Sequence, residues 1–447
     1  MTPQRLEADY LVVGAGASGM AFADELVSRD ATARVILVDA RERPGGHWND
    51  AYPFVSLHQP AAWYGVNSLP LGKGGGDLSS GAEILAYYAR VLAKLTRTGR
   101  VRFYGGCVYE GEGRFENAAD GGAYRVAEHA KIVDATYARV SVPSTTPPAF
   151  EVAAEVSLVA PNDLVDVRDP SAGVVVIGGG KTGIDAVLFL LGQGVEPAGI
   201  TWIVPNDAWL LDRALIQPGR LTDGGADAQL ASAANAESLE QLFTTLERDE
   251  RILRLDAAVW PTKYRCATVS RAELAQLRRV RGVVRQGRVQ EITASEIVLE
   301  RGTLETNASV LHVNCTADGL TRTEPRPVFA SGQITLQPLF LCHPTFSAAL
   351  IAYVEARCRT DRERNELCRV VPYPVTPSDY LSAYADSLDN WIGWSRRMPW
   401  WLRTSRLSLA HHEPLGQLIW SSFKNRKVMP SAIERLRRLG ADDPAEV

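Results

Sequence analysis

The stretch that most limits what this chain can fold into is Tyr10-Leu11-Val12-Val13-Gly14-Ala15-Gly16-Ala17-Ser18-Gly19. A short apolar, β-branched run reads as a buried parallel strand. Beyond the glycines, Met20, Ala23, Leu26 and Val27 recur at helical spacing, a second strand is expected over 34–38, and Asp39 closes it. Strand, glycine turn, helix, strand and acid together make a dinucleotide-binding unit. Gly14 permits the tight turn, Gly16 removes the Cβ that would block a pyrophosphate, and Gly19 lets helix and strand pack closely. The helix start at Ala17 and Ser18 offers free N–H groups and a positive dipole end to phosphate. A carboxylate 20 residues past Gly19 can accept both hydroxyls of an adenosine ribose.

The same order recurs further on. Val174-Val175-Val176-Ile177 is again a buried-strand run, Gly178-Gly179-Gly180-Lys181-Thr182-Gly183 follows it, 184–191 reads as a helix and 200–204 as the next strand. Two such units in a chain of 447 residues predict an α/β protein with two Rossmann-like domains. Between them, Ser79 or Ser80 can cap a helix over 81–95. Past the second unit, 228–247 and 271–280 are expected to be helical, with strands over 289–292 and 297–300.

After Asp39 the chain reads Ala40-Arg41-Glu42-Arg43-Pro44-Gly45-Gly46-His47-Trp48. With this Gly-Gly-x-Trp segment the sequence resembles the flavoprotein monooxygenase superfamily, the class B flavin-containing and Baeyer–Villiger monooxygenases, over about residues 8–360. The resemblance implies FAD as the first nucleotide, held along Gly14, Gly16, Ala17, Ser18, Gly19, Asp39, Ala40, Arg41, Gly46, His47 and Trp48. It implies a nicotinamide nucleotide as the second, held along Gly178, Gly180, Lys181, Thr182 and Gly183. NADPH rests on the resemblance alone, and NADH stays open. A 2′-phosphate needs a cation beyond the second strand, for which Lys181 and Arg213 are candidates, each equally readable as a solvated surface cation.

Two further FAD contacts are implied. Asp318 belongs to a strand and turn over 310–319 that reads as returning the chain to the flavin domain. Thr345 starts an apolar helix that carries Pro344 in its first turn. The expected division is an FAD-binding domain of 1–168 and 306–372, an inserted NAD(P)H-binding domain of 169–305, and a C-terminal helical cap or tail of 373–447.

The family's reaction would run by hydride transfer from NAD(P)H to the flavin, formation of a flavin C4a-peroxide with O2, and transfer of one oxygen atom to nitrogen, sulfur or carbon of a small organic substrate. Within the stretch from Tyr52 to Tyr64, His58 and Gln59 are the candidate catalytic residues at the flavin edge, His58 as a proton relay. An ordinary loop histidine is the competing reading. Two departures from the family pattern stand out. Tyr137 replaces the glycine of an Ala-Thr-Gly signature after Val133-Asp134-Ala135-Thr136, and no histidine lies between Glu151 and Asp169, where the Phe-x-Gly-x-x-x-His pattern belongs. An NAD(P)H-dependent flavin reductase without oxygen transfer, or a cofactor-bound docking protein with a basic, Trp-rich tail, are the alternative readings.

Lys and Arg total 48 against 52 acidic residues, which gives no electrostatic case for a nucleic-acid partner. No apolar run is long enough to span a bilayer and no secretory leader is apparent, so a cytoplasmic location is expected. The six cysteines are dispersed without a C-x-x-C pair or zinc spacing, which argues against the disulfide-reductase branch and a structural metal. Residues 391–438 hold five of the ten tryptophans among many Arg and Lys. That mixture is read as a packed helical cap in preference to peripheral membrane contact. Substrate identity and oligomeric state follow from no motif.

Overall fold

The computed structural model describes residues 3–167, 172–219, 225–317, 319 and 321–441. Each glycine unit seeds its own parallel sheet. In the first, Tyr10–Val13 lies between Val35–Val38 and Lys131–Asp134, with Val101–Tyr104 and Gln333–Thr335 outside them, all parallel, and the short antiparallel strand Phe329–Ala330 at one edge. The helix Ala17–Arg29 packs on this sheet with Met20, Phe22, Ala23 and Leu26 fully buried, and Pro344–Arg357 lies against it.

The capped helix forms over Gly81–Thr96. Ser80 accepts from the Glu83 N–H at 3.3 Å, and the Glu83 carboxylate accepts from the Ser80 N–H at 2.8 Å. Such a reciprocal cap is worth about 1 kcal/mol. The region expected to be one long helix over 228–247 is two, Gly225–Asn235 and Leu239–Arg248, and Ser238 caps the second.

The second sheet runs Leu158–Val159, Leu311–Asn314, Val174–Ile177, Ile200–Ile203 and Gly282–Val284, also all parallel. This corrects one expectation. The strand read over 310–319 as entering the flavin domain pairs instead with the second unit, Leu311 opposite Val174 through Asn314 opposite Ile177. The chain reaches the first sheet only at 329–335. The reason is physical: a strand buried on both faces has the same composition in either sheet, and only its partner decides where it belongs.

A signal did exist. Val313-Asn314-Cys315-Thr316 repeats Val133-Asp134-Ala135-Thr136. In both, the polar side chain accepts from the N–H and the hydroxyl of the threonine two residues on: Asp134 from Thr136 at 2.9 and 2.7 Å, Asn314 from Thr316 at 3.1 and 2.6 Å.

The C-terminal helices Pro377–Arg397, Pro399–Thr404, Leu415–Asn425 and Val428–Ala441 form the cap. Trp394 and Trp401 anchor it, both nearly fully buried, with their indole N–H groups donating to the Leu367 carbonyl at 2.8 Å and the Glu25 carboxylate at 2.7 Å. Cys266 and Cys342 are disulfide-bonded across 76 residues, a pairing that no C-x-x-C spacing announces. Among the described residues no helix is long and apolar enough to cross a membrane, and no group of three His, Cys, Asp or Glu side chains is gathered as a metal site.

Candidate functional site

The first glycine turn is built by close approach. A Cβ on Gly19 would fall 1.9 Å from the Gly14 carbonyl oxygen, and Gly14 itself sits at φ +100°. Only glycine lets the helix begin so near the strand. Gly16 faces the Gly45-Gly46 turn, where an added Cβ would lie 3.5 Å from the Gly46 Cα. The Gly45 N–H donates to the Ala15 carbonyl at 3.0 Å and ties the two turns together. Ala17 and Ser18 open the helix here.

Asp39, 6% exposed, ends its strand at this turn and accepts from the N–H groups of Ala15 at 2.7 Å and Arg41 at 2.9 Å. Ala40 is exposed beside it, and the Arg41 guanidinium is paired with Asp50. Burial, helped by the Arg41 charge, pushes the His47 imidazole down to about 4, so it is neutral near pH 7. The Trp48 indole donates to the Tyr64 hydroxyl at 2.8 Å.

The stretch after Trp48 meets the start of the Pro344–Arg357 helix. The Thr345 hydroxyl, fully buried, donates to the Trp63 carbonyl at 3.3 Å, and the His343 ring lies 5.7 Å from the Trp63 ring. Burial alone pushes His343 down to about 4. His58 is half-buried as a residue, yet its Nδ1 is fully enclosed, and burial with the nearby charges of Lys181 and Arg213 pushes it down to about 3. Such a ring is an uncharged hydrogen-bonding group at neutral pH. Gln59, half-buried, follows it. His58 Nδ1, Trp63 Nε1 and Ser79 Oγ are enclosed polar atoms without hydrogen-bond partners. Buried polar atoms normally find partners, so these three are groups that a bound polar molecule can satisfy.

The second turn repeats the first. A Cβ on Gly183 would fall 1.9 Å from the Gly178 carbonyl oxygen, Gly178 sits at φ +123°, and Cys315 lies beneath Gly178 as Thr136 and Ala135 lie beneath Gly14. Around Gly180 an added Cβ would meet nothing within 4 Å, so this side of the turn is open.

The two units are clasped together. The Tyr52 hydroxyl donates to Asp185 at 2.6 Å, and Phe54 stacks on Phe189 with ring centroids 4.2 Å apart. Burial and the Asp185 charge hold the Tyr52 phenol well above its ordinary range, so it stays a donor. Lys181 pairs with the same Asp185, and Thr182 stands next to it on the helix Lys181–Gly192. Arg213 pairs with Glu273 at 2.8 Å and donates to the carbonyls of His58 at 3.2 Å and Thr268 at 3.3 Å.

The two cations nominated for a 2′-phosphate therefore each have a carboxylate partner inside the protein, and Arg213 holds the His58 loop. The Lys181 pair is legible in sequence as an i,i+4 spacing; the Glu273 pair is not. Beyond the Ile200–Ile203 strand stands Asp207, paired with Arg285 at 2.7 Å, and neither residue was singled out by motif. Asp318 lies outside the described residues.

Comparison with known proteins sets this geometry in context. A family model described as an NAD(P)-binding Rossmann-like domain matches residues 12–66. The Mycobacterium tuberculosis protein Rv2000 is 44% identical over 448 aligned residues, covering 94% of this chain and 82% of that protein, and the Mycobacterium bovis protein Mb2023 matches equally. The polycyclic ketone monooxygenase of Thermothelomyces thermophila aligns with a TM-score of 0.54 at 12% identity, over 100% of this chain and 90% of that one. A closed structure of cyclohexanone monooxygenase gives 0.51 at 15%, over 96% and 98%. OTEMO, crystallised with FAD and NADP, gives 0.51 at 15%, over 78% and 85%. At these identities the structural likeness is one of fold.

Proposed function

This chain belongs to the family of the mycobacterial protein Rv2000 and has the fold of the flavin monooxygenases, and from that premise we propose that it is an FAD-dependent, NAD(P)H-consuming monooxygenase of a small organic substrate. The observation that carries the reading is the pair of glycine turns, each so tight that a Cβ on Gly19 or Gly183 would fall 1.9 Å from a backbone oxygen, and clasped to one another through Tyr52 and Asp185. Two nucleotide sites held this way can present a hydride donor and a flavin to each other.

In this reading the FAD-binding domain expected over 1–168 and 306–372 gives up Leu158–Val159 and Leu311–Asn314 to the NAD(P)H-binding domain expected over 169–305, and the cap is 373–447. Gly14, Gly16 and Gly19 let the FAD pyrophosphate reach the helix N–H groups of Ala17 and Ser18. Asp39 takes the ribose, and Gly46 to Trp48 line the nucleotide. Bound FAD supplies hydride acceptance and O2 activation. His58, uncharged at neutral pH, and Gln59 would hydrogen-bond the ring edge, and the free N–H groups at the start of the Pro344–Arg357 helix, around Thr345, would favour negative charge there. Gly180 and Gly183 let the nicotinamide nucleotide approach, with Lys181 and Thr182 at the helix start. The Tyr52–Asp185 and Phe54–Phe189 contacts hold the two units together, a closure that would help exclude water around the bound cofactors.

The absence of histidine over 151–169 favours a second reading, a flavin reductase that passes electrons on without oxygen transfer. Anaerobic reduction of the purified flavoprotein by NADPH, followed by mixing with O2, separates the two. Delayed return of the oxidised-flavin absorbance is expected, with H2O2 released at the same slow rate because no substrate is present to take the oxygen. Immediate reoxidation with stoichiometric H2O2 would establish the reductase instead, and no reduction by either nicotinamide nucleotide would defeat both.

A further inference from the structure

The helix Leu415–Asn425 is held in one orientation and turns the wrong face to water. Its inner face is fixed: Ser421 and Lys424 bond Asp227 at 3.1 and 2.9 Å, Asn425 bonds the same carboxylate, and Leu418 packs on the core. Its outer face carries Leu415, Ile419, Trp420 and Phe423, which are 57, 62, 66 and 65% exposed. Spaced at i, i+4, i+5 and i+8, they form one continuous stripe.

Trp400, 79% exposed, stands one turn before Arg403 on the preceding short helix, and Arg403 donates to the carbonyls of Ala410 at 2.8 Å and Glu413 at 2.6 Å in the turn that leads into the stripe. At the far end Arg426 lies 5.6 Å from the Phe423 ring centroid, and Lys427 is exposed beside it. Between residues 396 and 438 there are ten Lys and Arg against Glu413 and Glu434 alone; Arg397, Lys424, Arg437 and Arg438 pair with carboxylates, whereas Arg426 and Lys427 stand exposed at the end of the stripe.

We propose that this helix seats in the interface of an anionic lipid bilayer, with Leu415, Ile419, Trp420 and Phe423 at the acyl boundary and Arg426 and Lys427 among the headgroups. Amphipathic aromatic rings beside cations are what that boundary favours. A second copy of the chain fits less well. The stripe offers roughly 500 Å² of apolar area, short of the ~800 Å² per partner of a stable interface.

The test is flotation of the full chain with phosphatidylcholine vesicles, with and without 30% phosphatidylglycerol, alongside Trp420→Ser/Phe423→Ser and Arg426→Gln/Lys427→Gln. Anionic lipid is expected to raise the bound fraction roughly thirty-fold, a gain that two basic residues at a charged surface supply. The aromatic pair of substitutions should abolish flotation and the cation pair should remove its dependence on anionic lipid, both with unchanged circular dichroism, because all four side chains face solvent. Failure of the unaltered protein to float, or equal binding to both vesicles, overturns the proposal. So does a concentration-dependent dimer that the aromatic pair of substitutions dissolves. Flotation needs neither flavin nor turnover, so its outcome is independent of the proposed reaction.

Discussion

Gly180→Ala separates a residue needed for the fold from one needed for the ligand. Gly180 has φ −82° and ψ −175°, a conformation any L-residue adopts, and its added methyl meets no heavy atom within 4 Å. The unliganded protein should therefore melt within about 0.5 kcal/mol of the parent, or slightly above it through the lower entropy of the unfolded chain. A pyrophosphate approaching the start of the Lys181–Gly192 helix would meet that methyl and lose at least one hydrogen bond to a charged oxygen, about 1.5–3 kcal/mol. Affinity for NADPH should fall roughly ten- to hundredfold. Gly183→Ala is the contrast: its Cβ lands 1.9 Å from backbone oxygen, the helix must retreat by about 1 Å, and overpacking costs about 1–3 kcal/mol or more. Thermal melting with NADPH titration, read as the concentration dependence of flavin reduction, measures both. A stable Gly180→Ala protein with unaltered NADPH half-saturation would refute the placement of the phosphates, and a Gly183→Ala protein as stable as the parent would refute the close approach.

Tyr52→Phe removes a 2.6 Å bond to a carboxylate that also holds Lys181; it should destabilise by about 1–3 kcal/mol in urea, and no change would mean the clasp is not formed in solution. Breaking the Cys266–Cys342 bond by reductant or Cys266→Ser should cost about 2–4 kcal/mol, seen as a lower urea midpoint; identical midpoints with and without dithiothreitol would show that the thiols are free. His343 and His58 have folded values of about 4 and 3, below the ordinary 6.5, so the unfolded chain takes up protons first as pH falls. Stability is full above about 6.5 and declines from there toward 4, by up to about 2 kcal/mol per histidine at pH 5; His343→Phe should flatten that decline, and an unchanged profile would exclude His343 as its source.

What sequence could reveal here was local. The glycine turns are dictated by backbone room within a few residues, and Ser80 with Glu83 writes its own cap, so both are legible without the rest of the chain. What escaped was settled by distant partners. Leu311–Asn314 could join either sheet until it met Val174–Ile177. Arg213 reads as a free cation until the fold brings it to His58, 155 positions away, and to Glu273. The same holds for Tyr52 with Asp185, 133 positions apart. The orphaned atoms of His58, Trp63 and Ser79 are also invisible in a linear reading, because enclosure is a property of the whole packing.

The repeated turn carries one asymmetry. Where the first unit has Ala135 beneath its glycine turn, the second has Cys315, 4% exposed, whose thiol burial pushes far above its ordinary range. In the closed protein this sulfur is chemically silent, because alkylating reagents attack the thiolate. It becomes reactive only when the second unit opens, which gives the chain an internal clock: the rate at which Cys315 is labelled counts openings of that unit and leaves the first unit unread.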